Sequence, residues 1–207
     1  SMLASPLRKA AAATAALLFT AAPGLGGCPT GEDIGEGIVL AQNAPFFMRG
    51  DFKATPEGFV EMRIIDMGGQ VQESMALYRH GLVMTGEHSP AGHVEINYVD
   101  DLRPVETLPD AGSVSISGVA KGPKGEAYVE LELEFVDHGT IALAECEYET
   151  WTVKSSLMDR NGAGAAFQVE YAPELDLVLS AGQIGPDGAL TAAYRYQWAG
   201  TAADVAR

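Results

Sequence analysis

The chain has 207 residues, of which 47% are apolar and 8% aromatic, and it carries a formal net charge of -15. This length suffices for a domain with its own hydrophobic core, and the apolar content excludes an intrinsically disordered chain. An acidic surface without a basic stripe repels phosphate backbones, so nucleic acid is not expected as a partner.

The N-terminal segment has the pattern of an export signal. Ser1 precedes the initiating methionine and is interpreted as the remnant of an expression tag. Arg8 and Lys9 are followed by an uncharged, alanine-rich run over residues 10–22. A basic pair before such a run is typical of a secretory signal, and the run is shorter than the roughly 20 residues that a membrane span needs. We therefore predict a signal segment over residues 1–27 and a periplasmic protein.

The signal segment leads into Leu25-Gly26-Gly27-Cys28, which resembles the lipobox of bacterial lipoproteins. In that motif a leucine and two small residues precede the cysteine that receives the lipid. The resemblance implies lipidation at Cys28, and it implies that a lipid anchor is the only contact with a membrane. Ordinary signal cleavage near Ala21 or Ala22 is the alternative, and it would leave a soluble periplasmic protein.

Cys28 and Cys146 are the two cysteines of the chain, and a lipid on Cys28 would exclude a bridge between them. Cys146 alternates with glutamates in a strand pattern that places it, together with Tyr148, on the apolar face. We therefore expect Cys146 to be a buried free thiol, not bonded to Cys28. An oxidising compartment favours the opposite outcome, because it permits a bridge.

After the signal, the sequence predicts a tether followed by a β domain. Residues 28–36 are rich in glycine, proline and acid and predict the tether, and the β domain spans residues 37–207. The clearest strand of that domain is Tyr128–Val136, in which apolar residues alternate with glutamates. A turn is predicted at Asp137–Thr140 and a return strand over Ile141–Val153, which together form a hairpin with one acidic face.

Further strand patterns precede and follow this acidic hairpin. Gly58–Asp66 and Gln70–Thr85 flank Gly68–Gly69, which predicts another hairpin. The run Val99–Thr107 allows only a short helix, because Pro104 limits it. The remaining segments with a strand pattern are Gly92–Val99, Ser113–Ala120, Ala165–Tyr171, Leu175–Ser180 and Ala189–Trp198. About ten strands at regular spacing predict an all-β fold, an antiparallel barrel or sandwich.

Aromatic residues concentrate in the last third of the chain. The candidate ligand-binding residues among them are Trp151, Tyr194, Tyr196 and Trp198. On one strand, the last three would share a face, and inside a barrel that face would line an apolar cavity. Ordinary core packing is the alternative. The phrase Tyr171–Leu177 is similar to phrases in exported β-rich proteins of Gram-negative bacteria, and this resemblance implies no activity.

His88, His93 and Glu95 form a candidate metal or hydrolase site. Imidazoles and carboxylates together hold zinc in many proteins, but this spacing is not that of a known zinc motif. Solvated loop histidines are the alternative. The sequence contains no nucleophile elbow, phosphate loop or dinucleotide fingerprint. We therefore predict no catalytic residue, no resident metal and no cofactor.

Export, a β architecture and the lack of a catalytic motif favour a non-enzymatic envelope protein, periplasmic or lipid-anchored. It would bind a protein partner or an apolar ligand. One alternative is a carrier of a lipid-like molecule in an aromatic-lined cavity, and a cavity of several hundred Å³, roughly, would favour it. The other is a hydrolase or metal enzyme around His88, His93 and Glu95, which requires these three side chains to converge.

Overall fold

The computed structural model describes residues 27–206 and places their strands in one antiparallel sheet. Strands hold 66% of these residues and helices 9%, against roughly 20–25% strand in an average globular domain. The all-β prediction is confirmed. The predicted signal segment lies outside the described residues, apart from Gly27. Within residues 27–206, no helix has the length and apolarity that crossing a membrane requires.

The sheet has thirteen strands among the described residues. They are β1 (Ile38–Gln42), β2 (Phe47–Thr55), β3 (Gly58–Met67), β4 (Gln70–His80), β5 (Val83–Ser89), β6 (Gly92–Tyr98), β7 (Ser113–Gly122), β8 (Gly125–Leu143), β9 (Cys146–Asp159), β10 (Gly164–Ala172), β11 (Leu177–Ile184), β12 (Leu190–Arg195) and β13 (Trp198–Thr201). Short helices α1 (Arg103–Glu106) and α2 (Leu108–Ala111) lie between β6 and β7, and α3 (Ala202–Val205) follows β13. Each strand from β2 to β12 pairs with its predecessor, and β13 pairs with β1.

The last two strands lie at opposite ends of the hydrogen-bonded order. β12 pairs with β11 and β13 pairs with β1, and no ladder joins β12 to β13. Only Tyr196 and Gln197 separate the two strands along the chain. The amide of Tyr196 donates to the carbonyl of Leu179 at 3.0 Å, and the amide of Gln197 donates to the carbonyl of Ala41 at 2.8 Å. Tyr196 and Gln197 therefore connect the two edge strands of the sheet, β12 and β13.

A buried glutamine bonds across this seam. Gln42 is 1% exposed. Its Oε1 accepts from the amide of Arg195 at 3.0 Å, and its Nε2 donates to the carbonyl of Phe46 at 3.0 Å. Gln197 also bonds across the seam, nearer the surface, where its Oε1 accepts from the amide of Asn43 at 2.9 Å. Side-chain amides thus bond backbone groups at the seam, where no ladder joins β12 to β13.

Alternation along the strands buries one face of the sheet in two apolar clusters. In β8, for example, Leu131 and Leu133 are buried while the neighbouring glutamates are exposed. The first cluster lies under β1–β3, β11, β13 and the ends of β8–β10 near the Cys28–Cys146 side, and the second lies under β5 and the remainder of β7–β10. Val105 of α1 and Leu108 of α2 are both 0% exposed, so the two helices cover part of the second cluster.

The structure corrects the turn predicted at Asp137–Thr140. β8 runs without interruption through these residues, and the turn of the hairpin lies at Ala144–Glu145 instead. The register shifts between Phe135 and Asp137, so Val136 is an extra residue on this strand. Such a β-bulge absorbs residues that favour turns without ending the strand, which is why the local pattern was misleading.

The tether predicted at residues 28–36 is also wrong, because this segment is docked on the domain. Pro29 is buried, and its carbonyl accepts a hydrogen bond from the Tyr148 hydroxyl at 2.8 Å. Residues Gly31–Gly35 form a 3-10 helix, and the Thr30 amide donates to Asp33 Oδ2 at 2.8 Å. Glycine, proline and acid predict irregular backbone, but they do not reveal whether a distant side chain holds it.

A disulfide joins Cys28 to Cys146, so the prediction of two unpaired cysteines is wrong. The Cα atoms lie 5.4 Å apart. Cys146 does face the core, at 9% exposed, but it is the first residue of β9 beside the hairpin turn. That position is accessible to a segment packing over the end of the sheet. The bridge uses the thiol that lipidation would need, so the two modifications exclude each other.

We expect the protein isolated from its native host to contain the bridge. A non-reducing peptide map should yield linked peptides carrying Cys28 and Cys146. Replacing both cysteines by alanine should lower the free energy of unfolding by about 2–5 kcal/mol, because the closed loop is long. Denaturant titration of the variant and the oxidised protein measures this loss. A Cys28 peptide that carries a lipid would contradict the assignment.

Candidate functional site

The buried face of the sheet contains a cleft of about 320 Å³. Side chains from β3–β6 and β8–β12 line it, so strands from both ends of the sheet face one another across it. Its apolar lining consists of Leu82, Met84, Ile96, Leu131, Leu157, Phe167, Val169, Val178 and Ala181. This volume falls at the lower end of the roughly 300–1,000 Å³ that is usual for small-molecule sites.

The exposure of the lining residues varies along the cleft. Ile96 and Leu131 are 3% and 5% exposed, whereas Phe167 is 39% exposed. Large aromatic side chains are ordinarily more buried than Phe167. The cleft is therefore deep at Ile96 and Leu131 and open to solvent beside Phe167, which gives an apolar ligand a way in.

A buried ion pair lies at one side of the cleft. Glu61 and Arg63 are two residues apart on β3 and therefore point to the same face of the sheet. Arg63 Nη2 lies 2.7 Å and 2.9 Å from the two carboxylate oxygens of Glu61. The Glu61 side chain is 3% exposed and that of Arg63 is 26% exposed. Arg63 lines the cleft, and Glu61 lies behind it against a second cavity of about 20 Å³.

Arg63 and the surrounding phenols keep fixed protonation states. Burial alone would lower the pKa of Arg63, but the Glu61 carboxylate opposes it, and the pKa lies well above its ordinary value. Burial raises the pKa of Tyr98 to about 12 and that of Tyr194 to about 12. Burial likewise raises the pKa of Tyr78. At neutral pH the cleft therefore presents a charged guanidinium and protonated phenols, all of which are hydrogen-bond donors.

Several of these donors have no acceptor within residues 27–206. Arg63 donates to Glu61 through Nη2, while its buried Nε has no hydrogen-bond partner. The hydroxyls of Tyr78 and Tyr194 line the same side of the cleft and make no hydrogen bond with the described residues. Buried donors are nearly always paired in folded proteins, so the unpaired Nε of Arg63, beside two hydroxyls that the protein leaves without a partner, marks this wall as a candidate binding surface.

The four aromatic residues predicted to bind a ligand do not lie together in the structure. Tyr194 lines the cleft. Tyr196 lies behind it, 1% exposed, with its ring centroid 5.4 Å from that of Tyr194. Trp151 packs against Tyr171 at 5.3 Å beside the second cluster. Trp198 is 37% exposed while Ala199 is buried. The expectation that Trp198 shares a face with Tyr194 and Tyr196 is wrong, because the seam interrupts the alternation.

His88, His93 and Glu95 do not form the convergent group that a metal enzyme would require. His88 is paired with His93 across β5 and β6, with ring centroids 5.7 Å apart. Among the described residues, no three His, Cys, Asp or Glu side chains lie close enough to hold a metal ion. A separate groove of about 720 Å³ is lined by His93, Glu95 and Arg79, and its lining is mainly polar. It lies on the face of β5 and β6 opposite to the face that carries Glu87 and the apolar cleft. The apolar cleft is therefore the stronger candidate.

A second polar cluster holds the turn at one end of the cleft. Gly81 and Leu82 of the β4–β5 turn line the cleft, and the Gly81 amide donates to Asp176 Oδ1 at 2.7 Å. A Cβ at Gly81 would overlap the carbonyl oxygen of Asp176, so this close approach requires glycine. The Tyr171 hydroxyl donates to the same carboxylate oxygen at 2.8 Å. The β4–β5 and β10–β11 turns are thus tied together.

His80 completes this cluster in its neutral form. Its Nδ1 accepts from the Leu82 amide at 3.1 Å, and its Nε2 lies 3.2 Å from the Tyr171 hydroxyl. Because that hydroxyl donates to Asp176, its oxygen accepts from His80, so the proton resides on Nε2. Burial lowers the pKa of His80, although Asp176 and Glu106 oppose the shift. A second proton on Nδ1 would face the amide of Leu82.

The residues that sequence reasoning missed are Glu61, Arg63 and Tyr78. A signal for the first two was present, since they sit on the same face of a predicted strand as Phe59 and Ile65. A charged pair between apolar residues on one strand face indicates a buried pair or a functional site.

No protein-family model, no curated protein and no solved structure matches this chain.

We expect protonation of His80 to destabilise the protein in mild acid. The unfolded histidine has a pKa of about 6.5, and the folded pKa is lower. Below pH of about 6.5 the unfolded state therefore binds the proton first, and stability should fall by up to about 1.4 kcal/mol per pH unit. Unfolding free energies measured between pH 8 and 5, at roughly half-unit intervals, should show this slope.

The slope should disappear in His80→Gln and persist in His138→Gln, because His138 is exposed. Equal slopes in the two variants would rule out His80 as the group responsible.

Proposed function

We propose that this protein is a non-enzymatic binding protein of the bacterial envelope that holds an apolar small molecule in the cleft between β3–β6 and β8–β12. The observation that carries the proposal is the cleft itself, about 320 Å³ in volume, with apolar walls and hydrogen-bond donors on one side. Concave, mostly apolar sites with a few converging polar groups are characteristic of small-molecule binding. This favours the apolar ligand over a protein partner and agrees with the carrier hypothesis.

The chemistry of the cleft suits binding and orientation of a ligand. Arg63 keeps its charge and the phenols of Tyr98 and Tyr194 keep their protons at neutral pH. Groups with such fixed states hold a ligand in one orientation, whereas acid–base catalysis uses groups that titrate near the working pH. We therefore propose binding, storage or transfer of the ligand without chemical change.

The proposed compartment is the periplasm. The basic pair and apolar run of the N-terminal segment are typical of export, and a disulfide is most stable in an oxidising compartment. The Cys28–Cys146 bridge favours the soluble form over the lipid-anchored form, because the bridged Cys28 has no thiol for a lipid. The peptide map proposed above distinguishes these two forms.

Filling the cleft should abolish binding of an apolar probe. N-phenyl-1-naphthylamine is uncharged and fluoresces more strongly in apolar surroundings, and we expect the protein to bind it saturably at one site. Ala181 lines the cleft, so Ala181→Phe should weaken binding by about tenfold or more, which corresponds to about 1.4 kcal/mol. Fluorescence titration measures the dissociation constants of the unmodified protein and of the variant.

Ala142→Phe is the matched control, because Ala142 is an exposed residue of β8 outside the cleft. Its affinity should stay near that of the unmodified protein. Absence of saturable binding to the unmodified protein, or equal binding to both variants, would refute the proposed function.

A further inference from the structure

We propose that the ligand is an amphiphile whose polar end is an uncharged hydrogen-bond acceptor, such as an ester or ketone carbonyl, and that Glu61 sets this preference by neutralising Arg63. This inference rests on the proposed function and specifies its ligand class. It follows from the donors on the cleft wall and from the charges around them.

This wall presents hydrogen-bond donors that the described residues leave without acceptors. Arg63, Tyr78 and Tyr194 line both the cleft and the small cavity beside it. The guanidinium of Arg63 lies 5.8 Å from the ring centroid of Tyr194. A guanidinium carries five N–H donors, and within the described residues Arg63 donates to Glu61 alone. A ligand that places an oxygen beside these three side chains would satisfy donors that the protein leaves unpaired.

The charges disfavour an anionic head group. The Glu61 carboxylate, 2.7 Å from Arg63 Nη2, already neutralises the guanidinium. Glu87 also lines the cleft and adds a negative charge to it. A carboxylate or phosphate ligand would therefore bring a further negative charge into a partly desolvated site with no uncompensated cation, which is unfavourable.

A cationic head group fits the wall no better. It would have to lie beside Glu87, the carboxylate that lines the cleft away from Arg63. Glu87 is paired with Ala76, and Ala76 with Glu61, across neighbouring strands, so the backbones at the two glutamates are two strand spacings apart, roughly 10 Å. A cation at Glu87 would therefore leave the donors around Arg63 unpaired. An uncharged acceptor satisfies them without a net charge.

The apolar body of the ligand is limited by the cleft. Leu131, Val169 and Ile96 are almost fully buried, and the volume of about 320 Å³ is small for a ligand site. A single acyl or isoprenoid-like chain matches these walls better than a lipid with two chains. Its far end would leave the cleft beside the half-exposed Phe167.

The test compares three ligands that share one chain and differ in the head group. Decanoate, methyl decanoate and decyltrimethylammonium compete with N-phenyl-1-naphthylamine for the oxidised protein, below their micelle concentrations. We expect methyl decanoate to bind about tenfold or more tightly than either ion, since one well-placed hydrogen bond without a charge penalty is worth about that factor.

Glu61→Gln should reverse this preference. The glutamine keeps the shape of the side chain but leaves the charge of Arg63 uncompensated, so decanoate should gain about tenfold or more in affinity while methyl decanoate changes little. Glu87→Gln is the matched control, because it removes the same charge from the same cleft at a distance from Arg63. It should change the affinity for decanoate by much less.

The outcomes separate this inference from the proposed function. Preferential binding of decanoate or decyltrimethylammonium to the unmodified protein would overturn the inference while leaving a ligand-binding cleft. Equal shifts in Glu61→Gln and Glu87→Gln would remove the role assigned to Glu61. If none of the three compounds displaces the probe and the probe itself does not bind, the proposed function fails. Should Glu61→Gln fail to fold, the ranking of the three ligands by the unmodified protein decides.

Discussion

The pairing of the last strand, β13, with the first, β1, is the constraint on which the rest of the structure depends. A meander that joins every strand to its predecessor can remain open, but here its two ends are brought together. The sheet must therefore curl, and its apolar face turns inward onto itself. The seam uses side-chain amides because no ladder joins β12 to β13. Gln42 is buried for this reason, and its two hydrogen bonds satisfy backbone groups that would otherwise be unpaired.

Curling leaves an interior that the core residues do not fill completely. The two apolar clusters occupy the space beneath β1–β3 and beneath the helices, and the cleft lies between strands from both ends of the sheet. A buried ion pair such as Glu61–Arg63 stabilises a fold less than apolar residues of similar volume. Its place at the wall of a cleft agrees with the proposal that the pair serves ligand selectivity.

The sequence revealed local features of this fold and missed those that depend on distant contacts. Alternation correctly predicted β3, and Gly68 and Gly69, which both adopt the positive φ that the turn requires, correctly predicted its hairpin with β4. The strand predicted over Gln70–Thr85 is instead divided by a turn at Gly81–Leu82. Alternation failed at residues 137–140, where a bulge continues the strand, and at Trp198, where the seam shifts the alternation. It also failed at residues 28–36, whose position depends on Cys146 and Tyr148. The cleft could not be predicted, because its walls come from nine strands whose meeting depends on the curl.

Nuclear Overhauser effects between a bound ligand and the methyl groups of the protein test the central claim most directly. With methyl-labelled leucine, valine and methionine and unlabelled methyl decanoate, the account predicts contacts from the acyl chain to Leu131 and Val169 inside the cleft. Met62 serves as an internal reference, since it lies between Glu61 and Arg63 on the opposite face of β3 and is 50% exposed. Contacts to Met62 without contacts to Leu131 and Val169 would contradict a ligand site within the curled sheet.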